Sequence, residues 1–358
     1  MLPLKKNVLI IGAGIHGITI ALELSKKYNV TIVDANKEIL WETSKNNHNR
    51  IHLGYHYPRS RDTIQECKLG YEYFTKNYKD CLVFPDFFYV ICKKSKTSSR
   101  KFKSIMKAEK LECRSSWPKE MFLNRAKIDD SFKVREACID INKFRKKIIK
   151  ELYDRNIALL LNFKIENVKW VNGMLLLNSE NDKKLLSVDK IINCTYTNAN
   201  NILKLFHIKD RLTKYIFEET EVAVVKSNVE IPALTVMDGP YISILPHAGH
   251  DRHYLVYDVK NSVVRRTTGT IFTRSKKYKS NWKQMLKHGL QYYPFFNNLK
   301  YKYSLYANRP IPSSARGDSR ATRIIKQHYK IDFFTVREGK LISAPYIAAI
   351  FAKRLCGE

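Results

Sequence analysis

The sequence predicts an α/β fold in which a parallel-sheet domain is interleaved with an α+β domain built on an antiparallel sheet. Three observations carry that reading. Residues Asn7 to Asp34 run strand, glycine turn, helix, strand. A buried-strand pattern returns far along the chain at Lys190-Ile191-Ile192-Asn193-Cys194-Thr195, as expected when a late segment rejoins an early sheet. Between Thr220 and Asp258 the pattern is β throughout, and neither a low-complexity linker nor an internal repeat separates the two architectures, so they are interleaved in sequence.

The first segment is the most specific. Val8, Leu9, Ile10 and Ile11 form the continuous apolar run of a strand buried on both faces, and Gly12-Ala13-Gly14-Ile15-His16-Gly17 follows at once. Ile18, Ile20, Ala21, Leu22 and Leu24 give the next helix its buried side, Lys26 and Lys27 suit its C-terminal dipole, and Val30 to Val33 form a second strand ending at Asp34. Each glycine has a task in such a Rossmann-type unit. Gly12 permits the tight turn, Gly14 lets backbone N–H groups approach a pyrophosphate at the helix N-terminus, and Gly17 lets helix and strand pack closely. Asp34 can accept hydrogen bonds from ribose hydroxyls and disfavours a 2′-phosphate, which leaves NAD and FAD as candidates.

Composition sets the outer bounds. The chain has 358 residues, 44% hydrophobic and 12% aromatic, which places it among globular proteins. No apolar run is long enough to span a bilayer, and the N-terminal run is too short and too soon broken by glycines for a signal peptide, so a cytoplasmic location is expected. Seven scattered cysteines without a CxxC pair indicate neither a disulfide framework nor a zinc site. The net charge of +30 allows nucleic acid, an anionic surface or an acidic substrate as partner, but the lysines are spread along the chain and read first as solvated surface.

After Asp34, Trp41 to Ser60 has no clean period and gathers asparagine, histidine, arginine and tyrosine around Gly54, the composition of a functional loop. His48, His52 and His56 are spaced i, i+4, i+8, but Gly54, Pro58 and the asparagines argue against the helix a metal face would need, and no metal is expected. Arg61 to Tyr78 reads as a helix with Ile64, Leu69, Tyr73 and Phe74 inward, Cys81 to Cys92 as a strand, and Ser98 to Leu111 as a basic amphipathic helix. Ile141 to Asn156 is an amphipathic helix, Ala158 to Lys164 a strand, and Ile165 to Val188 a small meander. Then come strands at Glu221 to Val225, Ala233 to Val236, Tyr241 to Leu245 and His253 to Tyr257, with turns at Asp238-Gly239-Pro240 and His247-Ala248-Gly249. Trp282 to Tyr292 reads as a helix, Tyr301 to Tyr306 and Ile331 to Val336 as strands, and Gly339 to Pro345 opens a C-terminal helix with proline in its first turn.

Several of these segments together resemble the FAD-dependent D-amino-acid oxidase superfamily, which includes glycine and sarcosine oxidases and L-2-hydroxyglutarate dehydrogenase. The resemblance covers nearly the whole chain: Gly12 to Gly17 with Asp34, the loop Thr43 to Gly54, Ala137 to Asp140, Asn193-Cys194-Thr195, Gly239 to Pro246, Arg309-Pro310, and Gly339 to Pro345. It implies FAD, and a Rossmann-type FAD-binding domain assembled from residues 1–80, 138–210 and 300–358, with an α+β substrate domain on an antiparallel sheet from 81–137 and 211–299. Gly12, Gly14, Ile15, His16, Gly17 and Asp34 would hold the ADP half. Thr43, Ser44, Asn49 and Arg50 would line the flavin side of the loop, and Gly339, Lys340, Leu341 and Ile342 match the loop whose backbone N–H groups approach the pyrimidine ring. Thr195 stands where the family has alanine-glycine, a departure within the cofactor site.

The resemblance implies hydride transfer to flavin N5 from a small polar, anionic substrate, with Arg50, His52 and Arg309 on the substrate side. His52-Leu53-Gly54 is similar to the His-x-Gly loop of L-2-hydroxyglutarate dehydrogenases, and Asn49-Arg50 to the arginine loop of sarcosine oxidases. An amine or amino acid needs an arginine to clamp its carboxylate; a hydroxy acid needs a base for its hydroxyl proton, which a histidine supplies. The CH–NH reading leads from the breadth of the family, with a CH–OH dehydrogenase as alternative. An RNA-modifying flavoenzyme is a further alternative suggested by the charge. No segment identifies the electron acceptor.

Overall fold

The strand Asn7–Ile11 lies inside a six-stranded sheet whose order is Arg323–Gln327, Asp332–Arg337, Lys190–Asn193, Asn7–Ile11, Asn29–Val33, Ala158–Leu160. The computed structural model describes residues 5–208, 212–239, 241–314, 322–337 and 339–357; Pro240 of the expected turn and the expected 210/211 domain boundary lie outside the described residues. All pairs in this sheet are parallel except the edge hairpin made by Arg323–Gln327. The register aligns Val33, Ile11, Asn193 and Thr335 at the carboxyl ends of four neighbouring strands.

Side chains alternate across this sheet, so both faces need cover. Val8, Ile10 and Ile192 face helices Ile15–Leu24, Arg61–Tyr78, Ile141–Asp154 and Ala344–Leu355, with Phe74, Phe144 and Ile148 at that core. Leu9, Ile11, Ile191 and Phe333 face Leu203, Phe206 and the three-stranded meander Asn167–Val171, Met174–Asn178, Lys183–Leu186. Asp140 caps its helix by accepting from the Asn142 and Lys143 N–H groups.

The second sheet has nine strands in the order Val263–Gly269, Tyr215–Lys226, His253–Asp258, Ile242–Pro246, Ala233–Met237, Phe87–Cys92, Ile128–Val134, Cys113–Ser115, with Lys300–Pro312 paired along Tyr215–Lys226. It is antiparallel but for the pair Ala233–Met237 and Phe87–Cys92. Asn308 and Arg309, expected within the 300–358 segment of the FAD-binding domain, therefore lie on a strand of the antiparallel sheet. A small sheet of Arg50–Ile51, Ala137–Ile139 and Leu82–Val83 is interspersed in sequence with strands of the antiparallel sheet.

The structure corrects several local expectations. Helix Arg61–Tyr78 turns Ile64, Cys67, Tyr71 and Phe74 inward, and Leu69 is 41% exposed. Cys81 to Cys92 is not one strand. Leu82–Val83 ends before Pro85, which has no N–H for a ladder, and Phe87–Cys92 restarts in another sheet. The strand predicted to run to Lys164 stops at Leu160. Strand Val263–Gly269 carries no apolar alternation because Arg265 and Arg266 interrupt it; they pair across the ladder with Glu219 and Glu218. The basic helix Ser99–Ala108 is amphipathic as expected, burying Phe102 and Met106 and exposing Arg100, Lys101, Lys103 and Lys107. Among the described residues no helix is long and apolar enough to cross a membrane.

Candidate active site

A cavity of about 860 Å³ opens where the carboxyl ends of the parallel strands meet the antiparallel sheet, the crevice in which α/β sheets bind their ligands. Its wall takes Ile11 to His16, Asp34, Ser44 and Thr195 from the first architecture, and Thr220, Tyr241, Ser243, Tyr257, Asn308 and Arg309 from the second.

The glycine turn is built for close approach. Gly12 has φ +108°, donates its N–H to Val33 O at 2.8 Å, and would bring a Cβ within 2.7 Å of Cys194 O. A Cβ on Gly17 would sit 1.9 Å from Gly12 O, so Gly17 serves helix–strand packing and is not on the cavity wall. Helix Ile15–Leu24 has no side-chain cap at Gly14, and Ile15 N–H donates to Ser44 Oγ at 3.0 Å. The helix N-terminus thus faces the cavity as an electropositive end.

The second strand's acid, Asp34, accepts from Ala13 N–H at 2.6 Å through Oδ2 and from Asn36 N–H at 2.7 Å through Oδ1. It clamps the turn and also lines the cavity. Thr43 Oγ1 donates to the Asn308 carbonyl at 2.9 Å, tying the polar loop to the antiparallel sheet. At the departure from the family pattern, Thr195 donates from N–H and Oγ1 to Asn193 Oδ1 at 3.2 and 2.7 Å, closing a polar turn beside Gly12. Gly339, at φ +98°, packs so tightly that a Cβ there would lie 2.6 Å from His16 Nε2, and Lys340, Leu341 and Ile342 continue along the wall.

Asn49 departs from expectation. Its backbone is left-handed at φ 50°, its side-chain amide is buried without a hydrogen-bond partner, and it is not part of the cavity wall.

Three histidines of the wall are held neutral. His48 Nε2 lies 3.0 Å from the Leu255 carbonyl, which only accepts, so Nε2 carries the proton and Nδ1 the lone pair. Burial pulls the His48 pKa down to about 3, with the Arg50 charge adding to it against the Leu255 carbonyl. Burial also pulls His52 well below its ordinary value, helped by the charges of Arg50, His56 and Lys340. His16 is lowered to about 4 by burial. The His52 and His56 rings stand 5.3 Å apart, and among the described residues no group of three histidines, cysteines or acids is placed to hold a metal.

The arginines are held by acids that sequence reasoning did not single out as partners. Arg50 donates from Nε to Glu136 at 2.7 Å, from Nη1 to Thr235 Oγ1 at 3.0 Å and from Nη2 to Tyr89 Oη, and stacks over the Phe87 and Tyr89 rings. Glu136 accepts in addition from Leu53 N–H at 2.9 Å, next to His52. Arg309 reaches Glu218 Oε2 through Nε at 2.6 Å and Nη2 at 2.5 Å. Arg274 pairs with Glu42. Glu136 carries only one sequence signal, its place immediately before the apolar Ala137 to Ile139 segment.

A dinucleotide fits this wall. Gly12 is a cradle that any Cβ would fill, and the buried atoms His16 Nδ1, His52 Nδ1, Tyr257 Oη and Asn308 Oδ1 have no hydrogen-bond partner in the protein. What the geometry defines first is a class: a dinucleotide-binding fold with a cavity between the carboxyl edge of a parallel sheet and an antiparallel sheet.

The chain belongs to the DAO family of FAD-dependent oxidoreductases, whose family model matches residues 7–354. Its cofactor is FAD. An FAD-dependent monooxygenase, FPY4, of Fusarium mangiferae is 25% identical over 240 residues, which make up 66% of this chain and 60% of that relative, so the match spans less than two thirds of its length. The FAD-dependent monooxygenase kojA of Aspergillus flavus is 35% identical over 75 residues, 21% of this chain and 18% of kojA. Glycine oxidase from Geobacillus kaustophilus shares the fold at TM-score 0.77 and 11% identity, covering 99% of this chain and 96% of that one. FAD-bound L-α-glycerophosphate oxidase from Mycoplasma pneumoniae does so at TM-score 0.71 and 20% identity, covering 98% and 95%.

Proposed function

We propose that the enzyme oxidises a CH–OH carbon of a small polar substrate to a carbonyl, with His52 as the base that takes the hydroxyl proton. The bound FAD supplies the acceptor for the hydride. His52 is the observation that carries this reading: its imidazole lies on the cavity wall with Nδ1 lacking any partner. An alcohol carbon gives up hydride readily only as its hydroxyl proton leaves, and a neutral imidazole is suited to receive it. The cationic surroundings that lower His52 also favour the negative charge developing on the substrate oxygen. His48, with its tautomer fixed by Leu255, supplies a second neutral ring beside that reaction.

The CH–NH reading asks instead for a guanidinium free to clamp a carboxylate. Arg50 has Nε, Nη1 and Nη2 engaged by Glu136, Thr235 and Tyr89, and Arg309 presents Nε and Nη2 to Glu218.

Anaerobic bleaching of the yellow enzyme by amino acids, N-methyl amines and hydroxyl compounds tests the class: bleaching by amines alone refutes it. His52→Ala is expected to slow flavin reduction by a hydroxyl substrate by about 10²–10⁴-fold, and a near-normal rate removes His52 as base. Because FPY4 and kojA are named monooxygenases, turnover under isotopically labelled dioxygen is a further check. Label in the product would overturn simple dehydrogenation.

A further inference from the structure

We infer that the antiparallel sheet carries a second binding surface, for single-stranded nucleic acid, on the face of strand Tyr215–Lys226 turned away from the cavity. This surface is independent of the CH–OH reaction, and nucleic acid is its partner, not the substrate.

Between Asp258 and Asp318 the sequence has no aspartate or glutamate, while lysines recur beside aromatic rings in Lys276-Lys277-Tyr278-Lys279, Trp282-Lys283 and Lys300-Tyr301-Lys302-Tyr303. The fold gathers these three pieces. Along strand Tyr215–Lys226, Thr220 and Val222 line the cavity, and Glu219 and Glu221 alternate to the opposite face. There Glu219 accepts from Ser275 N–H at 2.8 Å and Tyr278 Oη at 3.0 Å, and Glu221 accepts from the Ser280 and Ser304 hydroxyls. The Tyr278 ring stacks on Tyr306 with centroids 4.3 Å apart, and Trp282 on Tyr301 at 6.0 Å. Residues 275–283 are thereby laid along strand Lys300–Pro312.

The two carboxylates point inward and are buried, and Arg265 pairs with one of them. Lys276, Lys277, Lys279, Lys283, Lys300 and Lys302 point outward: all six are exposed, and none forms an ion pair among the described residues. Lys300 also stands opposite Lys226 across the ladder, a like-charge pair that costs stability until an anion lies beside it. Lysines without counter-charges hold the phosphates of a flexible strand by releasing its counterions. Tyr301 and Tyr303 are 38% and 45% exposed, which leaves ring surface for bases to stack on. The Tyr278, Trp282 and Tyr301 rings are packed on one another or on Tyr306, so they offer flat faces for stacking and do not project as a bilayer anchor would.

The test is fluorescence anisotropy of the FAD-loaded enzyme with fluorescein-labelled oligouridylate and oligothymidylate of about 20 nucleotides, and with a duplex of the same length. Both single strands are expected to bind, with affinity falling at least about tenfold between about 50 and 200 mM salt. No binding at the lower salt, affinity indifferent to salt, or tighter binding of the duplex overturns the inference. Lys300→Gln combined with Lys302→Gln should reduce the slope of log Kd against log salt by about 1.4, the share of two lysines. Tyr301→Ala should raise Kd at least about fivefold, with flavin content and melting temperature reporting that each variant is folded. Unchanged binding in both variants overturns the inference. Lys101→Gln combined with Lys103→Gln, on the basic helix packed at the far end of the nine-stranded sheet, controls for bulk charge. A loss as large as that of the Lys300 and Lys302 pair overturns the inference. Sedimentation with phosphatidylserine vesicles separates the other anionic surface: a protein that binds vesicles through Lys300 and Lys302 and leaves both oligonucleotides unbound overturns it in favour of a membrane.

Discussion

Replacing Glu136 with glutamine decides what Arg50 is for. Arg50 and Glu136 have side chains 2% and 0% exposed and meet at 2.7 Å. Removing one partner of such a pair leaves a buried charge without its counter-charge, at a cost of about 3–5 kcal/mol. Globular proteins unfold with about 2.1 cal/mol/K of entropy per residue, so for a chain of 358 residues each degree of Tm corresponds to about 0.75 kcal/mol and Glu136→Gln should lower Tm by about 4–7 °C. Arg50→Met should fall toward the lower end, because Glu136 keeps the Leu53 N–H at 2.9 Å and the Tyr89 hydroxyl at 3.1 Å. The double variant should lose less than the two single losses added, by about 2–3 kcal/mol, since neither charge is then stranded. Differential scanning calorimetry of the enzyme at saturating FAD measures all three. If Arg50→Met melts within about 1 °C of the parent while weakening substrate binding, Arg50 is a substrate clamp and the structural assignment is wrong.

Gly17→Ala would force a Cβ to 1.9 Å from Gly12 O. The helix must lift off its strand, at a cost of about 1–3 kcal/mol or more, and purified protein should carry far less flavin; full flavin occupancy by absorbance would refute the packing role. Acid sensitivity should track the buried histidines. His247 is 7% exposed, and burial, reinforced by His250 and His253, lowers its pKa to about 4. Between that value and its unfolded value the unfolded chain binds the proton and the folded chain does not, so stability falls as pH drops below about 6.5, by about 1.4 kcal/mol per pH unit. His247→Gln should flatten the Tm-against-pH curve between about pH 6.5 and 5 by one histidine's share, and an unchanged slope would show that His247 does not titrate this way.

The parallel sheet was legible because its signals are local: an apolar run, a glycine turn, an amphipathic helix and an acid at a strand end all fall within Asn7 to Asp34. The late return at Lys190 to Thr195 carried enough apolar character to place it beside that unit. The antiparallel sheet was legible in its apolar strands and not in Val263–Gly269, where the arginines that obscure the pattern are paired with acids on another strand. The site was legible wherever backbone shape dictates residue type, as at Gly12, Gly14 and Gly339. It was not legible where function depends on who sits opposite whom. Arg50 and Arg309 look like free cations in sequence, and only the fold brings Glu136 and Glu218 against them. Asn49, between wall residues His48 and Arg50, has a left-handed backbone and is not on the wall.

The order of strands in the six-stranded sheet also fixes when the cofactor site can exist during synthesis. Strand Asn7–Ile11 precedes its neighbour Lys190–Asn193 by about 180 residues, and that strand precedes its other neighbour, Asp332–Arg337, by about 140 more. Pairings of such sequence separation form slowly. On the ribosome the glycine turn therefore waits without the Cys194 and Gly339 segments that pack against it, its apolar strand open to wrong partners. A truncation that removes Asp332–Arg337 should yield colourless, aggregation-prone protein even though every residue of the GxGxxG turn is present.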